Sequence, residues 1–315
     1  MITVPAGLHR TTVDREGAPG AAWIAELPGL AAELLDRWNC VPDGAATHGG
    51  VGLILPVRRA AGRAAVLKVS FPHPGNVHEP DAFAVWAGRG AVRLYERDDE
   101  RFAMLLERAG PTTLAEVRDG DEVLTAAGRL SRRLAVPAPP GLPRLSERAK
   151  EWEARLRTDA ASLPHDLSAR AVDAALATVR DLARVQPEVL VHGDLHPRNI
   201  LRAEREPWLA VDPKGCVGDR AHDAGTLITV HALTLVDATS LLNATDVRHA
   251  VLHALDVFSE AAGLDRERTR RWAQLHAVQA AFRGRRHGFR RARGGPELAR
   301  LTRYADGLAE ALTPV

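Results

Sequence analysis

Between Val191 and Gly225 the chain reads VHGDLHPRNILRAEREPWLAVDPKGCVGDRAHDAG, and this stretch limits the fold more than any other. The pattern predicts a tight loop ending at Asn199, a strand Ile200–Leu201, a polar turn over 204–207 and a second strand Trp208–Val211, with Asp212 at its exit. A loop–strand–turn–strand–loop order brings Asp194, Asn199 and Asp212 to one end of a small hairpin. Three oxygen donors there suit Mg²⁺, a hard cation that takes one or two protein carboxylates and completes its shell with phosphates and water. Asp219 and Asp223 follow, with Lys214 between. An Asp-rich loop after an apolar strand is also the pattern of a solvated turn closed by its own side chains, and Asp219 suits that reading.

A second hairpin lies upstream, in THGGVGLILPVRRAAGRAAVLKVSFP. Gly49, Gly50 and Gly52 form its entry turn, where backbone amides can approach phosphate closely. Lys68 stands on the return strand between Val66, Leu67 and Val69, a setting in which an unpartnered ammonium is costly. Val77 to Trp86 reads as a helix with Glu79 in its first turn, where the macrodipole favours an acid in any case. Two antiparallel strands follow around Asp98-Asp99, and the second runs into the polar break Glu107 to Pro111.

HGDLHPRN followed by DPKG resembles the catalytic segment of the protein-kinase-like superfamily, in which an Asp-x-x-x-x-Asn loop precedes a metal-binding Asp. The HGD and DPK spellings are most similar to the aminoglycoside and hydroxyurea antibiotic resistance kinases. The resemblance implies an α+β, bilobal protein-kinase-like fold, with a small antiparallel-sheet N-lobe carrying one helix and a larger, mainly helical C-lobe. It implies an ATP- and Mg²⁺-dependent phosphotransferase acting on a hydroxyl of a small molecule, an aminoglycoside such as streptomycin, or else hydroxyurea or another hydroxylated metabolite. In residue terms Asp194 is the base, Asn199 and Asp212 hold Mg²⁺, and Asp223 is a buried acid that orients the loop. Lys68 contacts the α- and β-phosphates and pairs with Glu79, while backbone near Glu107 and Ala109 meets adenine at a hinge between lobes 1–109 and 110–315. His196 stands where many protein kinases have a catalytic-loop lysine and either contacts phosphate or serves as scaffold. Lys214 either pairs with Asp219 or Asp223 or reaches the phosphate or acceptor; loop pairing is the favoured reading.

The remainder is expected to be helical: Ala21 to Trp38 ahead of the hairpin, possible to split at Pro28, then 114–136 interrupted near Gly120, 145–157, 167–185, 226–237, 246–262 and 264–289. A Pro-rich linker covers 136–143. The Arg-rich run GRRHGFRRARGG departs from the acid-lined sites expected for polycationic aminoglycosides. It reads as a solvated helix end; facing the reacting groups, it would instead favour a neutral or anionic acceptor.

Composition narrows the partners. A formal net charge of +2 gives no reason to expect nucleic acid, and two cysteines, Cys40 and Cys216, make neither a disulfide framework nor a metal spacing. No run of about 18 uncharged apolar residues occurs and MITVPAGLHR lacks a signal-peptide pattern, so a cytoplasmic chain, monomeric or weakly dimeric, is the expectation. Among 42 Lys plus Arg the only lysines are Lys68, Lys150 and Lys214, two of them in the stretches singled out above. Gly193-Asp194-x-His196 with Gly218-Asp219 also opens a calcineurin-type phosphoesterase pattern, but no Gly-Asn-His block follows. A non-catalytic kinase-like binding protein would have lost Lys68, Glu79, Asp194, Asn199 or Asp212, and all five are present.

Overall fold

The structure, a computed structural model, describes residues 2–235, 244–289 and 292–314. It divides into two compact units, Met1–Gly110 with Ala203–Arg205, and Pro111–Arg202 with Glu206–Val315.

The first unit opens with helices α1 (Ala6–Glu16) and α2 (Ala18–Arg37). The sequence expectation missed α1, whose composition is largely polar, and placed a possible break at Pro28. Instead α2 runs unbroken through Pro28. A mid-helix proline costs about 3 kcal/mol. Burial of Ile24, Leu27, Ala31, Leu34 and Leu35 against the sheet offsets it, at roughly 1.5–3 kcal/mol for each large side chain.

The sheet comprises β1 (Val41–Pro42), β2 (Thr47–His48), β3 (Gly52–Arg58), β4 (Ala64–Ser70), β5 (Leu94–Asp98) and β6 (Ala103–Glu107), all antiparallel. Its order is β1-β3-β4-β6-β5, with β2 added on β3. The register sets Lys68 opposite Ile54 on one side and Met104 on the other, so its position on a central strand is fixed by pairing from both neighbours. Helix α3 (Glu79–Trp86) lies between β4 and β5 in the chain and ends at Ala87, in the left-handed region. The unit therefore carries α1 and α2 in addition to the single helix expected of an N-lobe.

The second unit is mainly helical. Its helices are α4 (Gly120–Leu134), α5 (Ala149–Ser162), α6 (Ala169–Thr178), α7 (Arg220–Leu235), α8 (Ala244–Ala262), α9 (Arg266–His287) and α10 (Gly295–Leu312). Helix α10 was not anticipated, and the expected helix end at Asp237 lies outside the described residues, as do Arg290 and Arg291 of the Arg-rich run. Helix α4 begins on an Asp119 cap whose carboxylate accepts the Asp121 and Glu122 N–H groups, which accounts for the break near Gly120. Helix α9 forms the spine, with Trp272, Val278 and Phe282 buried against α6, α7 and α10.

Two small sheets interrupt the helices and carry the loop of interest. Strands β7 (Val136–Pro137), β8 (Val189–Val191) and β11 (Cys216–Val217) form one, in the order β11-β8-β7, so part of the expected linker is a strand. Strands β9 (Ile200–Arg202) and β10 (Trp208–Ala210) form the expected hairpin, with Leu201 opposite Leu209 and Ile200 opposite Ala210. No helix among the described residues is long and apolar enough to cross a membrane.

Candidate active site

The loop from His192 to Asn199 is fixed before any side chain acts in chemistry. Strand β8 ends at Val191, and the next two amides, His192 and Gly193, each donate 2.8 Å hydrogen bonds to the two oxygens of Asp223. Asp223 stands in the first turn of α7 and is buried. The His192 ring adds a contact of 3.0 Å between Nε2 and Val211 O, and its own carbonyl accepts the Lys214 N–H at 2.7 Å. Burial holds this imidazole below its ordinary pKa, against the opposing charge of Asp223. Gly193 turns the chain at φ +80°, and a Cβ there would meet Cys216 Sγ at 2.9 Å and Lys214 Cβ at 3.0 Å. No other residue type fits that point.

Asp194 follows at the turn's apex, and a short 3₁₀ turn, Pro197–Asn199, returns the chain to β9. The Asn199 amide Nδ2 donates to Asp194 O at 3.0 Å, its N–H to His196 O at 2.8 Å, and its carbonyl takes the Val211 N–H at 2.9 Å. The side-chain amide is thereby oriented, with its carbonyl oxygen as the remaining donor to a cation. One residue beyond Val211, Asp212 has φ +60°, a left-handed conformation that an aspartate tolerates at a cost of about 1–3 kcal/mol. The hairpin thus presents Asn199 and Asp212 at the same end, beside Asp194.

Electrostatics set the Asp194 carboxyl apart. Burial raises its pKa to about 6, opposed by the charges of Lys214 and Arg283 and reinforced by those of Asp212 and Asp223. His196 Nε2 lies 3.9 Å from Asp194 Oδ2. Lys214 Nζ lies 3.5 Å from Asp212 Oδ2, so its partner is Asp212 and not Asp219 or Asp223 as favoured from sequence. The reason is competition: Asp223 is bound by two loop amides, and Asp219 belongs to a different junction. Buried Asp219 accepts from Ala221 N–H at 3.0 Å, Arg268 Nε at 2.5 Å and Trp272 Nε1 at 2.8 Å. It pins α9 to the start of α7 and is no solvated turn residue. The signal missing from the sequence was long-range, since both partners lie some fifty positions later.

The remaining sequence candidates lie in the first unit. Lys68 and Glu79 are both buried and meet at 2.5 Å. Gly49 and Gly50 form an exposed turn closed by the Gly49 N–H on Gly52 O at 3.0 Å, and Gly52 begins β3. The Glu107 carboxylate is unfavourable to bury, but Arg205 at 2.8 and 3.0 Å and the Arg93 N–H at 3.0 Å hold its pKa below the usual range. The Glu107 amide is spent on Arg93 O, at 2.8 Å, so this N–H is not open to an adenine edge. Ala109, two residues on, makes no backbone hydrogen bond among the described residues.

Residues fit for a divalent cation are few and of one kind. No group of three or more His, Cys, Asp or Glu that could hold a metal occurs among the described residues. Two oriented oxygen donors, from Asn199 and Asp212, match a hard ion that arrives with phosphates to complete its shell.

Residues 37–288 match the family model for aminoglycoside/hydroxyurea antibiotic resistance kinases. Streptomycin 6-kinase of Streptomyces griseus is 38% identical over 282 residues, covering 88% of this chain and 89% of that protein. Hydroxyurea phosphotransferase of Kitasatospora aureofaciens is 36% identical over 283 residues, 89% of this chain and 79% of that protein. Among solved structures, an amicoumacin kinase superposes with a TM-score of 0.58 at 15% identity, covering 92% of this chain and 97% of that one. An aminoglycoside phosphotransferase, APH(4)-Ia, gives 0.55 at 12% identity, covering 91% of this chain and 98% of that one. These two show a protein-kinase-like fold, and with the family match over most of its length the chain belongs to the aminoglycoside/hydroxyurea antibiotic resistance kinase family.

Proposed function

We propose that this kinase transfers the γ-phosphoryl group of ATP, with Mg²⁺, to a hydroxyl of a small antibiotic-like acceptor, with Asp194 as the base. The observation that carries the reading is the loop itself: Asp194 is raised to a pKa of about 6, with Asn199 bonded to its carbonyl and Asp212 within charge range. At neutral pH such a carboxylate is ionised and a better proton acceptor than an ordinary aspartate. It takes the proton of the acceptor hydroxyl as the oxygen attacks the γ-phosphorus. The bond to the β–γ bridging oxygen breaks, and ADP leaves with that electron pair. Positioning and charge stabilisation supply most of the rate.

Asn199 and Asp212 would hold the cation, whose contribution when bound is to neutralise phosphate charge. Lys68, oriented by Glu79, meets the α- and β-phosphates, and the Gly49-Gly50-Val51-Gly52 turn offers amides to them. Adenine is met by backbone near Ala109. Lys214 and His196 border the transferred phosphate. On this reading residues 1–109 bind nucleotide and 110–315 supply the catalytic loop and the acceptor site. One chain contains every residue named, and ATP as donor fits a cytoplasmic enzyme.

The relatives favour an aminoglycoside of the streptomycin type as acceptor. Hydroxyurea is the second reading, favoured by the hydroxyurea phosphotransferase relative. The test is ADP release with ATP and Mg²⁺ over a panel containing both compounds. Acceptor-dependent ADP with a mass gain of one phosphoryl group on the acceptor is expected. Failure to phosphorylate any hydroxylated acceptor in that panel would remove the reading.

A further inference from the structure

The turn over 203–207 closes the β9–β10 hairpin at the end opposite to Asn199 and Asp212. Its first residues, Ala203–Arg205, group with the first unit, while the strands and Glu206 group with the second. Arg205 is what fastens that piece of chain. Its Nε and Nη2 donate to the two oxygens of Glu107 at 3.0 and 2.8 Å, and Nη1 donates to Gly88 O at 2.7 Å. Nη2 also donates to Ala91 O at 3.0 Å. The side chain is only 24% exposed and that of Glu107 15%, so these bonds are largely shielded from water. The next residue, Glu206, is held separately by Arg133 of α4, at 3.0 Å.

The receiving surface is shaped for a guanidinium. The segment 88–91 follows α3 and leaves it in left-handed steps, at φ +88° for Gly88 and +71° for Gly90. A Cβ at Gly88 would meet Arg93 Cγ at 2.8 Å and lie 3.5 Å from Arg205 Nη2. Two carbonyls of this short segment thus converge on one side chain. The Glu107 carboxylate is aligned for it by the Arg93 N–H at 3.0 Å. A planar fork with five N–H groups serves a carboxylate and two carbonyls together, which the single ammonium of a lysine cannot do. An arginine at a hairpin tip ordinarily keeps its freedom in solvent, and ordering it has an entropic cost that a mere turn residue has no reason to bear. The segment that Arg205 grips ends the helix whose first residue, Glu79, pairs with Lys68.

We infer that Arg205 is a positioning residue for the divalent cation: by fastening the hairpin turn to Glu107 and to the segment after α3, it fixes how Asn199 and Asp212 present their oxygens. The inference rests on the reading of those two residues as the cation's donors. Each strand of the hairpin has three residues, so the turn and the donors are roughly 10 Å apart. Pairing of Ile200 with Ala210, Leu201 with Leu209 and Arg202 with Trp208 makes the two strands move as one piece. Freedom gained at the turn therefore passes to the donors. Mg²⁺ demands near-ideal octahedral geometry, so a donor pair that drifts loses affinity for it.

The experiment is calorimetric titration of a non-hydrolysable ATP analogue, with saturating Mg²⁺ and again in EDTA, into wild type, Arg205→Gln, Arg205→Lys and Asp212→Asn. In Arg205→Gln the Kd with Mg²⁺ is expected to rise about tenfold, the lower end of what loss of an outer support costs a metal site, while the Kd in EDTA moves less than about twofold. Adding Glu107→Gln to Arg205→Gln should raise the Mg²⁺ value little further, because the two side chains act as a unit. An equal rise in both conditions overturns the inference, since it assigns Arg205 to the nucleotide or to folding alone. No rise in either condition overturns it as well. Should Arg205→Gln fail to fold, Arg205→Lys, which keeps the charge and part of the bonding, carries the same comparison with a smaller selective rise. Asp212→Asn separates the two levels: a wild-type Kd with Mg²⁺ there removes the cation reading and this inference with it, whereas a raised one leaves Arg205 to be judged by its own variants.

Discussion

At the scale of single residues, the site is an economy of hydrogen-bond partners in which each acid has one assignment. Asp223 is committed to two backbone amides, and truncating it leaves two buried donors without acceptors. Asp223→Ala is therefore expected to lose about 3 kcal/mol or more in urea unfolding together with turnover, whereas Asp223→Asn, which still offers one oxygen, loses less. Lys214 has the opposite profile. Its partner Asp212 is about one-third exposed, at 32%, so the pair contributes no more than about 1 kcal/mol to stability. If Asp212 and Lys214 border the transferred phosphate as proposed, Lys214→Met should melt within about 3 °C of wild type while losing turnover, because it leaves the Asp212 charge unbalanced at that point. A melting temperature that falls in step with activity would return Lys214 to a loop-holding role.

At the scale of elements, the close approach of α7 and α9 sets the geometry beneath the loop. A Cβ at Gly225 would meet His276 Cδ2 at 2.7 Å and the Trp272 backbone at 2.9 Å. Gly225→Ala should cost about 1–3 kcal/mol by overpacking, and calorimetry or chemical denaturation measures it directly. His276 gives the same junction a pH dependence. Burial, with the charges of His222, Arg283 and Arg148, holds its pKa well below the ordinary value of 6.5. The unfolded chain then binds a proton that the folded one excludes, so stability is full above the ordinary pKa and is lost as pH falls below it toward the folded value. The melting temperature of the wild type should drop from pH 7 to pH 5, and His276→Gln should flatten that drop. An equal drop in the variant would place the titration elsewhere.

At the scale of the whole molecule, the parts that were legible in the sequence are those held by local pattern. The β9–β10 hairpin, the Lys68 strand, the Glu79 helix start and the break near Gly120 are each written in turn residues and periodicity within a dozen positions. Asp194, Asn199 and Asp212 could be brought together on paper because that hairpin alone unites the last two. What stayed illegible depends on distant packing. Continuity of α2 through Pro28 depends on the sheet it covers, and the role of Asp219 depends on Arg268 and Trp272. The partner of Lys214 was misassigned because the commitment of Asp223 to two loop amides has no sequence signature. Arg285 and Arg286 of the Arg-rich run read as a solvated helix end, yet Asp306 and Asp159 neutralise them.

The central claim, that Asp194 is the base of a phosphoryl transfer, is tested most directly by single-turnover transfer of labelled γ-phosphate to acceptor in wild type and Asp194→Asn. The asparagine keeps the size and the backbone contacts of Asp194 but cannot accept the hydroxyl proton. Proton acceptance of this kind contributes about 10²–10⁴-fold, so transfer should slow by at least about a hundredfold while ATP affinity changes only a few-fold. Transfer by Asp194→Asn at the wild-type rate, with ATP bound equally well, would contradict the account.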